Sequence, residues 1–371
     1  MDLQEQLEKA MAQNATLLME RSQLRKDLKH ARLKSGFFRG MVDELQTLIS
    51  PLEALPPADP QHYDRPQDIV DETLVVHWSD WHADEVVESH KVGGLEEFNF
   101  DVAMCRAERL VDSIINWTQK TLANHRFRKC VILMYGDQVN GEIHDAVGHS
   151  AYRDMMRNSL AVGQLIALCV RDLAPFFEQV DVICLSGNHG RRTAKKNFEG
   201  PRQNWDYMVA EIAAIQCRKF PNVRFHIPDA WSVTLDIEGH GFHVAHGDSI
   251  KSNMGIPFYG IERATRRLTA LHNSVGKQVK YFVLGHFHAL TQSAELKGET
   301  IVNGAFVATN PYSYESFAGY REPMQLIHGV HPRYGITWRF PIKIKDTDYE
   351  SKGPRRYSVI LAQPGFEGLT P

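Results

Sequence analysis

Paired cysteines are missing from this sequence. Its five, Cys105, Cys130, Cys169, Cys184 and Cys217, are odd in number, well separated and nowhere in a CxxC pair. That pattern argues against disulfides or zinc ligands, and for buried thiols in a reducing compartment. Long apolar runs are missing too: no stretch approaches the roughly 18 apolar residues that a membrane span needs. The chain opens Met1-Asp2-Leu3-Gln4-Glu5, with no basic region followed by an apolar run, so a secretory signal is not expected. An excess of one charge is also lacking. With 42 Lys and Arg against 45 Asp and Glu, the net charge is −3, and contact with nucleic acid would have to come from local patches. These absences predict a soluble cytoplasmic protein with no membrane partner. What is present, 371 residues of which 43% are hydrophobic, suffices for a sizeable core with one appended element.

Proline is absent from the first 49 residues, and glycine occurs there only as Gly36 and Gly40. Alternate steps of four and three from Leu3 reach Leu7, Ala10, Asn14, Leu17, Arg21, Leu24, Leu28, Ala31, Ser35, Phe38, Val42, Leu45 and Ile49, most of them apolar. The spacing predicts a long amphipathic helix with a coiled-coil seam, in which Asn14 would fix the register, and hence a homo-oligomer formed through this helix. A helix packed along its own domain satisfies the same pattern. Between Arg21 and Arg39 seven basic residues face the single acid Asp27, either as a solvated face or as a contact for a polyanion. Pro51, Pro56, Pro57 and Pro60 stop the helix. The organisation expected is an N-terminal helix over 1–50, a linker over 51–67 and a domain over 68–371.

Within that domain, β-branched and apolar runs at Thr73–His77, Cys130–Met134, Val182–Leu185, Phe242–Ala245 and Tyr281–Leu284 read as strands, with a shorter one at Ile301–Val302. Helical patterns fall at Val102–Leu122, Tyr152–Phe177, Asn204–Arg218 and Ile261–Leu271. Strands alternating with helices predict a layered α/β domain, and Glu238-Gly239-His240-Gly241 predicts an antiparallel hairpin within it. Ile336–Ile344 reads as a further strand region. No internal repeat is visible.

The Asp, Asn and His residues concentrate just past these strand ends. The first strand runs into Asp80-Trp81-His82, the second into Gly136-Asp137-Gln138-Val139-Asn140 and the third into Gly187-Asn188-His189. His246-Gly247 follows the hairpin strand, and Gly285-His286-Phe287-His288 follows Tyr281–Leu284. Loops at strand ends can converge while the sheet holds them rigid. Carboxylate and amide oxygens mixed with imidazoles suit Mn, Fe, Ni, Mg or Zn, and the lack of thiolates argues against a structural zinc cage. Seven such ligands are too many for one catalytic ion with open positions and enough for two ions sharing a carboxylate. A lone histidine is more often a satisfied core residue; five motifs in this order are not.

The motifs DWH, GDQVN, GNH, HG and GHFH resemble those of the calcineurin-like metallophosphoesterase superfamily over roughly Leu74 to Ala289. The resemblance implies a four-layer αββα sandwich. It also implies that Asp80, His82, Asp137 and His288 hold one divalent cation and Asn188, His246 and His286 a second, with Asp137 bridging and manganese the first candidate. His189 matches the family's catalytic histidine, which binds no metal. Two cations about 3.5–4 Å apart lower the pKa of a bridging water to give a hydroxide nucleophile and stabilise an in-line displacement. His189 would then donate a proton to the departing oxygen. This chain departs from the pattern at Gly190, where the family commonly has Asp or Glu; Asn140 is within pattern and reads as loop structure.

Arg191, Arg192, Lys195 and Lys196 follow His189 and would form a basic rim that attracts phosphates flanking the scissile one, unless they are simply a solvated loop. Arg263, Arg266, Arg267, Lys277 and Lys280 would extend it. Together with GDQVN, GNH and GHFH, this rim is similar to the double-strand-break repair nucleases and phage-type members of the superfamily. Those nucleases lack a leading helix and carry a sizeable cap after their last motif, which this chain does not. The expected function is a two-metal phosphodiesterase acting on DNA or RNA. Two alternatives are a phosphatase or phosphodiesterase for a protein, nucleotide or small phosphate ester, and a structural protein with a vestigial metal centre.

Overall fold

The computed structural model describes residues 20–21, 36, 38–57, 69–143, 149–193, 200–251, 257–294 and 298–361. The strands are β1 (Val70–Asp71), β2 (Thr73–Trp78), β3 (His125–Arg126), β4 (Lys129–Tyr135), β5 (Gln179–Leu185), β6 (Val223–His226), β7 (Ser232–Ile237), β8 (His240–Ala245), β9 (Tyr281–Leu284), β10 (Thr291–Ala294), β11 (Glu299–Val302), β12 (Met324–His331) and β13 (Gly335–Lys343). The helices are α1 (38–48), α2 (Phe100–Asn116), α3 (Met155–Leu173), α4 (Trp205–Cys217), α5 (Pro257–Ser274), α6 (Pro311–Phe317) and α7 (Thr347–Glu350).

One sheet has the order β13-β12-β2-β4-β5-β6, with β2, β4, β5 and β6 mutually parallel. β2 is buried throughout, and β4 and β5 are buried after their first residue, as expected for central parallel strands covered on both faces. The second sheet runs β10-β11-β9-β8-β7. Here β7 and β8 form the antiparallel hairpin predicted around Glu238-Gly239, while β8, β9 and β11 are parallel neighbours. Between the sheets, Val75, Val131, Leu133 and Ile183 meet Phe242, Val244, Tyr281 and Val283. On the outer face of the first sheet, Leu74, Val76, Ile132 and Val182 share a larger core with Leu110 and Ile114 of α2, Leu165 and Ile166 of α3, and Val209 and Ile212 of α4. On the outer face of the second, Ile261 of α5 packs with Leu284 and Val302. The layers are therefore α, β, β, α. Contrary to the expectation that no stretch suits a membrane span, Met155 to Phe176, α3 and the turn after it, is long and apolar enough for one by length and composition; 72% of an 18-residue window within it is buried, so its apolar character is explained by the core.

Of the N-terminal helix, 38–48 is described and packs on its own domain. Phe38 is 1% exposed and meets the Trp205 ring edge-on at 5.1 Å, Val42 is buried in the same core, and the Leu52 amide donates to the Gln216 carbonyl. Nearly all the remaining positions of the coiled-coil seam, and 58–67 of the linker, lie outside the described residues.

Candidate metal centre

Every predicted metal-ligand residue sits at the end of a strand or in the turn after it. The loop after β2 is zipped to the loop after β4 by amides of Asp80, His82 and Ala83 that donate to the carbonyls of Gly136, Asp137 and Gln138. The Gly285 amide donates to the His246 carbonyl, tying the β8 and β9 ends together. These turns are tight. Asp80, His82, Asp137, His286 and His288 all have φ between 41° and 67°, the left-handed region that non-glycine residues seldom enter. Such strain persists only where surrounding contacts over-determine it, and it concentrates at functional sites. Gly187 is required because a Cβ there would run into Asp137 Oδ1.

The side chains converge in two groups. Ligand atoms of Asp80, His82 and His288 lie within 4.8 Å of one another, as do those of Asp137, His246 and His286. Asn188 joins the second group with its Oδ1 3.0 Å from His246 Nε2. Asp137 Oδ2 stands between the groups, 2.9 Å from His246 Nε2 and 4.0 Å from His82 Nε2. All seven predicted ligand residues are thus brought together. Asp80, His82, Asp137, Asn188 and His246 are buried, whereas His286, His288 and His189 are partly exposed and mark the accessible side.

The donor set fits divalent cations. Asp80 Oδ1 accepts from the His286 amide and Asp137 Oδ1 from the His189 amide, each at 2.8 Å, while the buried Oδ2 of Asp80 has no hydrogen-bond partner among the described residues and that of Asp137 pairs with His246. His246 donates from Nδ1 to the Tyr135 carbonyl at 3.0 Å, so its Nε2 is the atom that faces the Asp137 and Asn188 oxygens. Burial disfavours charge on His246, and Asp137 outweighs it, pushing the imidazole up to about 10. Burial likewise works to raise the Asp137 carboxyl, but His246 and His189 hold it well below the ordinary carboxylate range. His286 is brought down to about 4 by burial and by His246, a neutral imidazole suited to ligation. A metal ion would replace the proton that His246 otherwise carries.

His189 lies at the border of this set. Its Nδ1 donates to the Asn140 carbonyl at 3.0 Å, its ring meets His82 edge-on with centroids 4.6 Å apart, and with His82 and Asp137 it forms a third cluster capable of holding a cation. Asn140 therefore acts through its backbone, in keeping with its reading as loop structure. At Gly190 a Cβ would collide with Asn204 Oδ1, so the acid usual in the family has no room here. An acid that supports these loops from elsewhere is Asp206. Its buried carboxylate accepts from the amides of Asp137, Gln138 and Gly187 at 2.8–2.9 Å, binding the β4 and β5 loops to one anchor; burial, then Asp137, push it up to about 6.

Arg191 and Arg192 are engaged by the protein. Arg191 Nε donates to the Asn188 carbonyl at 3.0 Å, and the Arg192 guanidinium lies 5.6 Å from the centre of the Phe38 ring. Lys195 and Lys196 fall outside the described residues. Lys277 and Lys280 follow the C-terminus of α5, the end away from the centre, and Lys280 lies over Tyr281.

Several supporting residues escaped the sequence reading. Asp84 Oδ1 accepts from the Asn140 amide at 2.6 Å, and burial pushes its carboxyl up to about 7. Glu85 accepts from Asn310 and is likewise pushed up to about 7, first by burial. Both directly follow the Asp80 motif, which was a usable signal. Arg106 on α2 is fully buried, pairs with Glu96 and Glu350 and donates to the Phe306 carbonyl. The Phe306 amide in turn donates to the Asp80 carbonyl, so the outer helix braces the centre.

No family model and no curated protein matches the chain. Among solved structures it is similar to an archaeal phosphodiesterase (8% identity, TM-score 0.32, covering 72% of this chain and 99% of that one). It is also similar to a hypothetical protein from Pyrococcus horikoshii (8%, 0.40, 76% and 92%) and to the phosphoesterase Yfce from E. coli (11%, 0.32, 73% and 100%).

Proposed function

We propose that the chain is a metal-dependent phosphoester hydrolase, with Asp80, His82, Asp137 and His288 holding one divalent cation, Asn188, His246 and His286 the other, and nucleic acid as the substrate. The observation that carries this reading is the pair of ligand groups that meet at the buried Oδ2 of Asp137, 2.9 Å from His246 Nε2 and 4.0 Å from His82 Nε2. When bound, two divalent cations supply Lewis acidity, lowering the pKa of water and drawing charge from phosphate oxygens. Manganese heads the candidates, with Fe, Ni, Zn and Mg behind it.

The chain's own residues supply the rest. His246 is locked in one tautomer by the Tyr135 carbonyl, Asp206 fixes the two loops that carry Asp137 and Asn188, and His189 stands on the accessible side, held by Asn140, where it can give a proton to a leaving oxygen. Because Arg191 and Arg192 already have protein partners, a small phosphate ester is the second reading. Hydrolysis assays with Mn²⁺ on linear duplex, single-stranded DNA, RNA, bis-p-nitrophenyl phosphate and p-nitrophenyl phosphate separate the two. Metal analysis tests the centre itself: wild type should approach two ions per chain and Asp137→Ala should lose both. Two tightly held ions in that variant would reject the shared ligand.

A further inference from the structure

α5 touches its sheet narrowly: Gly260, Ile261 and Thr265 are its buried residues, and most of the rest faces outward. On the outward side Tyr259, Arg263, Arg267 and Leu271 recur every four residues and form one stripe. Phe258 and Arg266 flank it, with Arg266 tied to Glu262. A charged outer helix face is ordinary, but Phe258 and Tyr259 are adjacent aromatics, 54% and 57% exposed, with the Arg263 guanidinium 5.9 Å from the Tyr259 ring centre. Arg263 and Arg267 pair with no carboxylate among the described residues.

The aromatic end of this face adjoins the metal centre. Ile261 shares a small cluster with Leu284 and Val302, and against that cluster pack Phe287, the residue between His286 and His288, and Ile250, whose amide donates to the Gly247 carbonyl next to His246. Gly260 approaches the Lys251 carbonyl so closely that a Cβ would collide with it. The first turn of α5 is therefore docked on the two loops that carry His246, His286 and His288, all from the second sheet.

We infer that the outer face of α5 binds single-stranded nucleic acid and leads it to the metal centre, with bases stacked on Phe258 and Tyr259 and phosphates held by Arg263 and Arg267. Exposed rings accept unpaired bases of any sequence, whereas a duplex keeps its bases stacked on one another, and neighbouring guanidinium groups track the backbone. The destination of the strand rests on the proposed hydrolase function; its binding does not.

The test uses the full chain, a fluorescent oligothymidylate and chelator to prevent cleavage. Phe258→Ala/Tyr259→Ala and Arg263→Ala/Arg267→Ala should each weaken binding by about tenfold or more. The arginine pair should also flatten the slope of log affinity against log salt by about 1.4, since each lost phosphate contact on a single strand accounts for about 0.7. Melting temperature should stay at the wild-type value, and so should Mn²⁺-dependent turnover of bis-p-nitrophenyl phosphate. Unchanged oligothymidylate binding in both variants, equal affinity for a duplex, or a change of oligomeric state on removing the aromatics would each overturn the proposal. Absence of diester turnover in the wild type, with binding lost in the variants as expected, would instead sink the hydrolase function and leave the α5 surface standing.

Discussion

Asn188 turns its Oδ1 toward His246, while its neighbour His189 points its ring at the Asn140 carbonyl and the edge of His82. Since His189 also lies within reach of a cation shared with His82 and Asp137, metal content discriminates between proton donor and ligand. His189→Ala should keep its metal while turnover falls by about 10²–10⁴-fold; loss of metal would make His189 a ligand. Asp206 tests the support. In Asp206→Asn an amide N–H₂ replaces one of two oxygens that face three backbone N–H groups, so the β4 and β5 loops lose a common acceptor and metal affinity should drop by about 10–100-fold. Competition with a chromogenic chelator measures this, and wild-type affinity would dismiss the anchor. The convergence of the seven candidate ligands was legible because carboxylate, amide and imidazole donors gathered at five strand ends. Asp206 was not, because an acid in the first turn of a helix already has a sufficient reason in the helix dipole.

Among the elements, β2, β4 and β5 were legible from the apolar and β-branched runs within them, and β9 matched its predicted bounds, whereas β12 was hidden by its polar residues. Gln325 and His328 interrupt its pattern although both are wholly buried. Gln325 accepts from Asn303 and donates to the carbonyls of Ser79 and Gly304, and His328 meets His77 at 3.0 Å, so these polar residues answer partners far away in sequence. β7, an edge strand that is half-exposed along most of its length, offered little apolar signal. The N-terminal helix divides differently: its end from Phe38 is occupied by its own domain, and the segment before residue 36 is where self-association through a heptad seam would have to act. Deleting residues 1–35 should leave the core contacts of Phe38 and Val42 in place and reduce the number of chains per particle. Light scattering that finds the same number in both proteins would reject the oligomer.

At the scale of the molecule, the centre straddles the seam between the two sheets. Asp80, His82, Asp137 and Asn188 hang from the six-stranded sheet, and His246, His286 and His288 from the five-stranded one. Cations held there would therefore rivet the two sheets together. Each site should stabilise the folded state by about 2.7 kcal/mol when free metal is 100 times its dissociation constant, and at about 2–4 °C per kcal/mol for a domain near this size, stripping the metal should lower Tm by several degrees. Equal melting curves in Mn²⁺ and in chelator would show that the sheets need no such fastening. If they do need it, the demetallated protein should part first at the ends of β8 and β9, where the two leaves of the sandwich share the ions, and amide exchange would quicken there while the outer helices stay protected.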